Sequence, residues 1–462
     1  MSTKPKRSAI NNMTEGPLLR QLILFSLPLM GGNLLQALYT LVDLWAVGNF
    51  ADAAAIAAVS NSSQIVFLIH AIGIGLSNAG QVLISQQVGA RDLRRLSTTI
   101  GTLLSFSMLS SIGAAAIGAV GSDLWMSWLQ IPEAAWQGAV NYLLICCLGT
   151  PAMCLCGSLC GILQGMGDSR QPMFVLAVSA VSNMILDVVF VAVFRLGAAG
   201  AAWATILAQL FGAIYALICV YRRREEIGFS FALSSFRMDG PTLKVLLKLG
   251  VPLVVTNASV TLSMMVVSGF INAYGVAAAA VTGIGAKVSS LVNVVTMSMQ
   301  TATGSMVAQN FAAGRIDRVK KINLISNAIC LIFFVFVGIA VLLWPEQIVG
   351  LFTQPGETEV LALARPYMKV AFWLYLAFCA MTTSLGHING VGFTTLNLII
   401  ALLDSVLGRV GLAILLGVVF DWGIAGFWWG NTLAAYVSVI LGLGYYFFGK
   451  WEKRSLLLTD HN

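Results

Sequence analysis

The chain has 462 residues, of which 58% are hydrophobic and only 10% charged. A water-soluble domain carries about 25% charged residues, so this composition excludes a soluble globular protein and describes an all-α polytopic membrane protein. The net charge of +7 does not mark a nucleic-acid binder, because the basic residues fall in short loops between apolar segments, as the positive-inside rule expects.

Taken in order, the hydropathy predicts twelve spans of roughly 20 or more residues. They cover about 18–47, 54–84, 97–120, 137–163, 172–194 and 199–221, then 246–273, 277–308, 322–344, 367–385, 395–418 and 424–448. The segment before the first span holds Lys4, Lys6 and Arg7 but no small-residue cleavage site, so no cleavable signal peptide is expected. A polar connection, Tyr221 to Lys248, separates the sixth and seventh spans. The chain therefore reads as an amino-terminal six-helix lobe (1–221), a linker (222–245) and a carboxy-terminal six-helix lobe (246–462).

The halves repeat. Gly16, Pro28, Asn33 and Gly80 recur as Gly240, Pro252, Asn257 and Gly304, all at an offset of 224. Gln164 to Gly167 recurs as Asn389 to Gly392 at 225, and Gly200 to Trp203 as Gly426 to Trp429 at 226. Six spans per repeat make both halves enter the membrane from the same side, related by a pseudo-twofold along the membrane normal. With the amino terminus inside, 21 basic residues fall on the cytoplasmic side and three, Arg195, Arg365 and Lys369, outside. Both termini are thus expected in the cytoplasm of a multi-pass cell-membrane protein.

Charges inside the spans are the candidate functional residues, since a carboxylate at bilayer depth costs about 2.5–3.5 kcal/mol on insertion scales. In the first span Gln36, Tyr39 and Asp43 share one face at helical spacing, and Pro28 below them removes a backbone hydrogen bond and forms a candidate hinge. Asp187 stands about 22 Å up the fifth span at 1.5 Å per residue, with Asn183 one turn deeper. Thr205 in the sixth span and Tyr142 in the fourth reach a similar depth. Two carboxylates, an amide and a hydroxyl suit either Na⁺ or a shared proton, because paired carboxylates in apolar surroundings resist joint ionisation. The same residues also suit a polar network that only pins helices together.

In the second half Asp43 maps to Val267, Asn183 to Gly408 and Asp187 to Leu412. The charges there are Lys287, Asp404 and Arg409. Five residues separate Asp404 and Arg409, about 140° around an α-helix, so Asp404 is expected to pair with Lys287 instead. This network reads as structural or as substrate-binding. Met264, Met265, Met297, Met299 and Met306 read as packing, although Met also suits adaptable pocket walls. Cys154, Cys156 and Cys160 have a metal-like spacing, but no His or acid accompanies them, so all eight cysteines read as small apolar packing residues.

Several of these pieces resemble the multidrug and toxic compound extrusion (MATE) family, and its DinF-like branch most closely. They are Gly16-Pro17, Ser26 to Pro28, Gln36 through Asp43 to Val47-Gly48, and Gly89-Ala-Arg91. Further along come Gly165 to Ser169, Asn183 to Asp187 and Gly200 to Thr205, then Pro252, Tyr274-Gly275 and Ala313-Gly-Arg315. The resemblance implies a two-lobe secondary antiporter exporting organic, often cationic, compounds in exchange for H⁺ or Na⁺. It implies no further cofactor, small-molecule and lipid partners only, and a monomer. By position it assigns Asp43, Asn183, Asp187 and Thr205 to the cation site, with Gln36, Tyr39 and Tyr142 beside it. Some relatives use acids in the seventh and tenth spans; this chain has none there. The competing readings are a lipid-linked saccharide flippase of the same superfamily, a major-facilitator carrier and a membrane-embedded enzyme. The last would need a catalytic cluster, and the only histidines are His70, His387 and His461.

Overall fold

The computed structural model describes residues 10–50, 53–129, 131–353 and 357–457. Lys4, Lys6, Arg7 and His461 lie outside the described residues, as do the side chains of Val47 and its neighbours 44–48. The described chain is helical, with twelve helices long and apolar enough to cross a membrane. In chain order these are α1 (Leu18–Phe50), α2 (Ala53–Ala90) and α3 (Leu93–Val120), followed by the short α4 (Ser122–Trp128). Next come α5 (Glu133–Gly165), α6 (Arg170–Asp187) and α7 (Gly197–Arg222). The second repeat contains α8 (Gly240–Asn272), α9 (Val276–Ala312), α10 (Ile316–Leu343) and the short α11 (Pro345–Gly350). It ends with α12 (Thr358–Gly390), α13 (Thr394–Leu402) and α14 (Ile424–Phe448). The short helices α4 and α11 follow the third and ninth spans, so the repeat extends to the loops.

Two compact units are present among the described residues: 10–15, 27–254 and 457 belong to one, and 16–26 with 255–456 to the other. The change of membership falls beside Pro28 in α1 and beside Pro252 in α8. In the first unit α5 is central, packed by α2, α3 and α7; in the second, α12 takes that place among α9, α10 and α14. Small residues permit this closeness. A Cβ on Gly161 of α5 would stand 2.5 Å from the Ser77 carbonyl oxygen of α2. The connection after α7 is polar by composition, yet Ile227 and Phe229 are buried against the first unit's core. Ser105 donates to the Phe236 carbonyl (2.6 Å), and the Asp239 amide to Thr102 (3.1 Å).

The fifth and eleventh spans depart from α-helix. After α6 the chain continues as a π-helical turn, Val188–Val193. After α13 it is π-helical over Leu403–Leu412 and again over Leu415–Val419. Such i→i+5 turns inside helices cluster at functional sites.

Candidate functional site

The first unit gathers the polar residues of its apolar interior. A narrow pocket of about 10 Å³ is lined by Gln36 and Tyr39 of α1, Ser179 and Asn183 of α6, and Thr205 and Gln209 of α7. Asp43 lies one turn beyond Tyr39, and Asp187 one turn beyond Asn183, where the π-helical segment starts. Asp43, Asp187 and Tyr39 lie within electrostatic reach of one another. Tyr142 of α5 is buried beside Asp43 and accepts from the Ser63 hydroxyl at 3.5 Å. All seven candidate residues of this lobe thus fall in one region.

The burial is severe. Asp187 is 0% and Asn183 2% exposed, and both carboxylate oxygens of Asp187 and both amide atoms of Asn183 lack a protein hydrogen-bond partner. One oxygen of Asp43 is buried in the same condition. Buried polar groups are normally paired, and an unmade bond costs about 1–3 kcal/mol, more for a charged group. These orphaned atoms of Asp43, Asn183 and Asp187 make no hydrogen bonds to one another. The cluster has the chemistry to take up a small cation or a proton. Ser63, Ser179, Gln209 and Cys146 were not singled out from the sequence. Ser179 precedes Asn183 by four residues and Gln209 follows Thr205 by four, so the one-face spacing carried the signal.

The second unit corrects one expectation. Asp404 does not pair with Lys287. Arg409 donates to it instead, with Nη2 3.2 Å from Oδ1. The reason is local: both lie in the π-helical segment, where i→i+5 geometry stacks residues five apart on one face. Ser438 donates to the other Asp404 oxygen (3.0 Å), and Arg409 donates to Asn431 (3.0 Å). Lys287 is exposed, its ammonium 5.6 Å from the Phe352 ring centre. Asn431 stands at the repeat position of Thr205, an offset of 226 that could have flagged it.

Glycines bring the last helix of each lobe onto these π-helical stretches. A Cβ on Gly200 would meet the Phe190 carbonyl at 3.0 Å, and one on Gly426 would meet the Gly417 backbone at 2.5 Å. The remaining candidates are structural. His70 shares a hydrogen bond with Thr150 (3.4 Å), and His387 one with Asn323 (2.9 Å). Met299 and Met306 are buried, whereas Met264 lines a pocket. All eight cysteines are free thiols, and no metal-like group of His, Cys, Asp or Glu occurs among the described residues.

Twelve spans in two repeats, with an acid pair enclosed in the first, define a polytopic membrane transporter. The family model for MatE matches residues 28–189 and 252–415, one match per repeat, and the chain belongs to that family of multidrug efflux transporters. Among named relatives, "Probable multidrug resistance protein YoeA" of Bacillus subtilis (strain 168) is 29% identical over 461 residues, covering 99% of each chain. "Probable multidrug resistance protein NorM" of Thermotoga maritima is 24% identical, covering 96% of this chain and 95% of its own. A solved MOP superfamily transporter from Pyrococcus furiosus superposes with a TM-score of 0.90 at 20% identity, over 98% of this chain and 100% of that one. The family match sets aside the major-facilitator and enzyme readings.

Proposed function

We propose that this protein is a monomeric secondary antiporter of the cell membrane, exporting organic, often cationic, compounds in exchange for H⁺ or Na⁺ by alternating access. The observation that carries this reading is the acid pair of half-buried Asp43 and fully buried Asp187, with Asn183 and Thr205 beside it and no protein partners for the Asp187 oxygens. An inward ion gradient drives export only if ion and substrate favour different states of the carrier. A site that changes charge on filling does this. Uptake of H⁺ or Na⁺ at Asp43 or Asp187 neutralises that carboxylate, a cationic compound held nearby loses its counter-charge, and it leaves outward. Na⁺ would be held by the Asp43 and Asp187 carboxylates with Asn183 and Thr205, all oxygen donors suited to a hard cation. Two solved relatives are described as MATE in the straight and in the bent conformation, with TM-scores of 0.88 and 0.87. Pro28, which stands inside α1 below the acids, is the candidate hinge of this chain. Inside-out vesicles given a panel of cationic dyes in the medium test the proposal. Uptake should follow an imposed proton or Na⁺ gradient, and dye movement indifferent to both would refute it.

Two expected results follow here. Pro28→Ala should insert and fold normally yet slow dye turnover severalfold, because a restored backbone hydrogen bond stiffens the helix. Unchanged turnover removes Pro28 from the mechanism. The orientation is tested at Leu233, which is 92% exposed in the connection after α7. Gly228 in the same connection is less suitable, because its φ of +64° strains any side chain. Leu233→Cys, in a background without other reactive thiols, should resist an impermeant thiol reagent added to whole cells. Ready labelling from outside would invert the topology.

A further inference from the structure

The second unit contains an open pocket of about 250 Å³, walled by α8, α9, α12 and α14. That volume lies just below the range of drug-sized sites, about 300–1,000 Å³, and suits a small compound. The repeat makes it the counterpart of the acid cluster: Val267, at the position of Asp43, and Asn431, at that of Thr205, both line it. The acids are gone, and among the described residues no charged one lines the walls. Aromatic faces take their place: Tyr367, Phe378, Phe427 and Trp428.

Its polar groups are fixed in orientation. Thr282 accepts from the Trp428 indole N–H (3.0 Å) and donates to the Ala278 carbonyl (2.8 Å), so its one O–H donor is already used. The indole held there meets Tyr367 edge to face at 5.1 Å. Asn431 is oriented from behind. A guanidinium only donates, so Arg409 Nη1 must meet the Asn431 carbonyl oxygen, at 3.0 Å. The amino group of the same amide is then left with its two N–H donors for the pocket. Arg409 is 4% exposed and anchored by Asp404, which Ser438 anchors in turn. The chain Ser438, Asp404, Arg409, Asn431 thus aims a hydrogen-bond donor into an uncharged aromatic chamber.

We propose that this pocket binds an uncharged, flat aromatic compound, whose carbonyl or similar acceptor takes the Asn431 amino group. The proposal rests on the transport reading and deepens it: the acids of the first lobe serve the ion, and the second lobe offers a site for neutral aromatic cargo. Arg409 is a positioning residue, acting through Asn431. A cationic compound finds no counter-charge in this chamber.

The test uses benzophenone, an uncharged aromatic ketone that inserts into nearby C–H bonds on irradiation, with the purified full-length protein in nanodiscs. Adducts mapped by mass spectrometry should concentrate on Met264 and neighbouring pocket residues. Asn431→Leu should lower this labelling about tenfold at limiting probe, and Ala286→Phe, which narrows the chamber, should remove it, both variants remaining monodisperse. A benzophenone carrying a trimethylammonium group should label the pocket far less. Labelling spread over outward-facing residues and indifferent to Ala286→Phe would overturn the site. Labelling unchanged by Asn431→Leu would overturn the acceptor, and equal labelling by the charged probe would overturn the ligand class. Asp43→Asn should label as wild type even while ion-driven export is lost, which separates failure of this proposal from failure of the transport reading.

Discussion

Asp43→Asn is expected to abolish ion-driven dye export in inside-out vesicles, by about 100-fold or more, with normal expression and insertion. A 100-fold loss corresponds to about 2.8 kcal/mol, at about 1.4 kcal/mol per tenfold. The effect is large because a ligand with equal affinity for two states shifts neither. Asn at position 43 resembles the filled site permanently, so filling no longer distinguishes the inward from the outward state. Asp187→Asn should do nearly the same, since both its oxygens are buried without protein partners. Asn183→Ala and Thr205→Ala should weaken ion dependence less, because each removes one uncharged ligand and leaves both acids. Equal export by wild type and Asp43→Asn across a range of gradients would detach the acid pair from coupling.

The second large effect belongs to the other lobe and is an effect on stability. Arg409→Met strands Asp404, which is buried and left with Ser438 alone. Removing one partner of a buried ion pair costs about 3–5 kcal/mol, while replacing both is much milder. The single variant should therefore unfold roughly 5–10 °C lower than wild type. The double variant, Asp404→Asn with Arg409→Met, should recover most of that loss. Additive losses in this cycle would contradict the pairing seen in the structure, and so would a matching loss from Lys287→Met, because Lys287 is exposed and apart from the pair.

These two sites differ in how far the sequence reveals them. Hydropathy finds the twelve spans because each is a long apolar run, and the steady offset finds the two repeats. The first-lobe cluster is legible because Gln36, Tyr39 and Asp43, and separately Asn183 and Asp187, follow the α-helical spacing. The Asp404–Arg409 pair was misread for the opposite reason. A π-helical stretch changes which residues face one another without changing composition or hydropathy, so the α-helical angle of about 140° pointed to the wrong partner. The second-lobe chamber was invisible because Met264, Tyr367, Phe427 and Trp428 come from three different helices. One at a time, their spacing is that of ordinary packing. The burial of Ile227 and Phe229 was likewise hidden by the arginines around them.

Coupling between ion and organic substrate through the first-lobe acids is the central claim, and reciprocal flux tests it most directly. Linkage requires that if an ion gradient moves dye, a dye gradient moves the ion. Proteoliposomes of purified protein, with no ion gradient, are given a cationic dye on one side, and H⁺ and Na⁺ are followed with internal indicators. Wild type should move one of the two ions against the dye, and Asp43→Asn should move neither. Dye entry without movement of either ion in wild type, or the same ion flux in Asp43→Asn as in wild type, would contradict it.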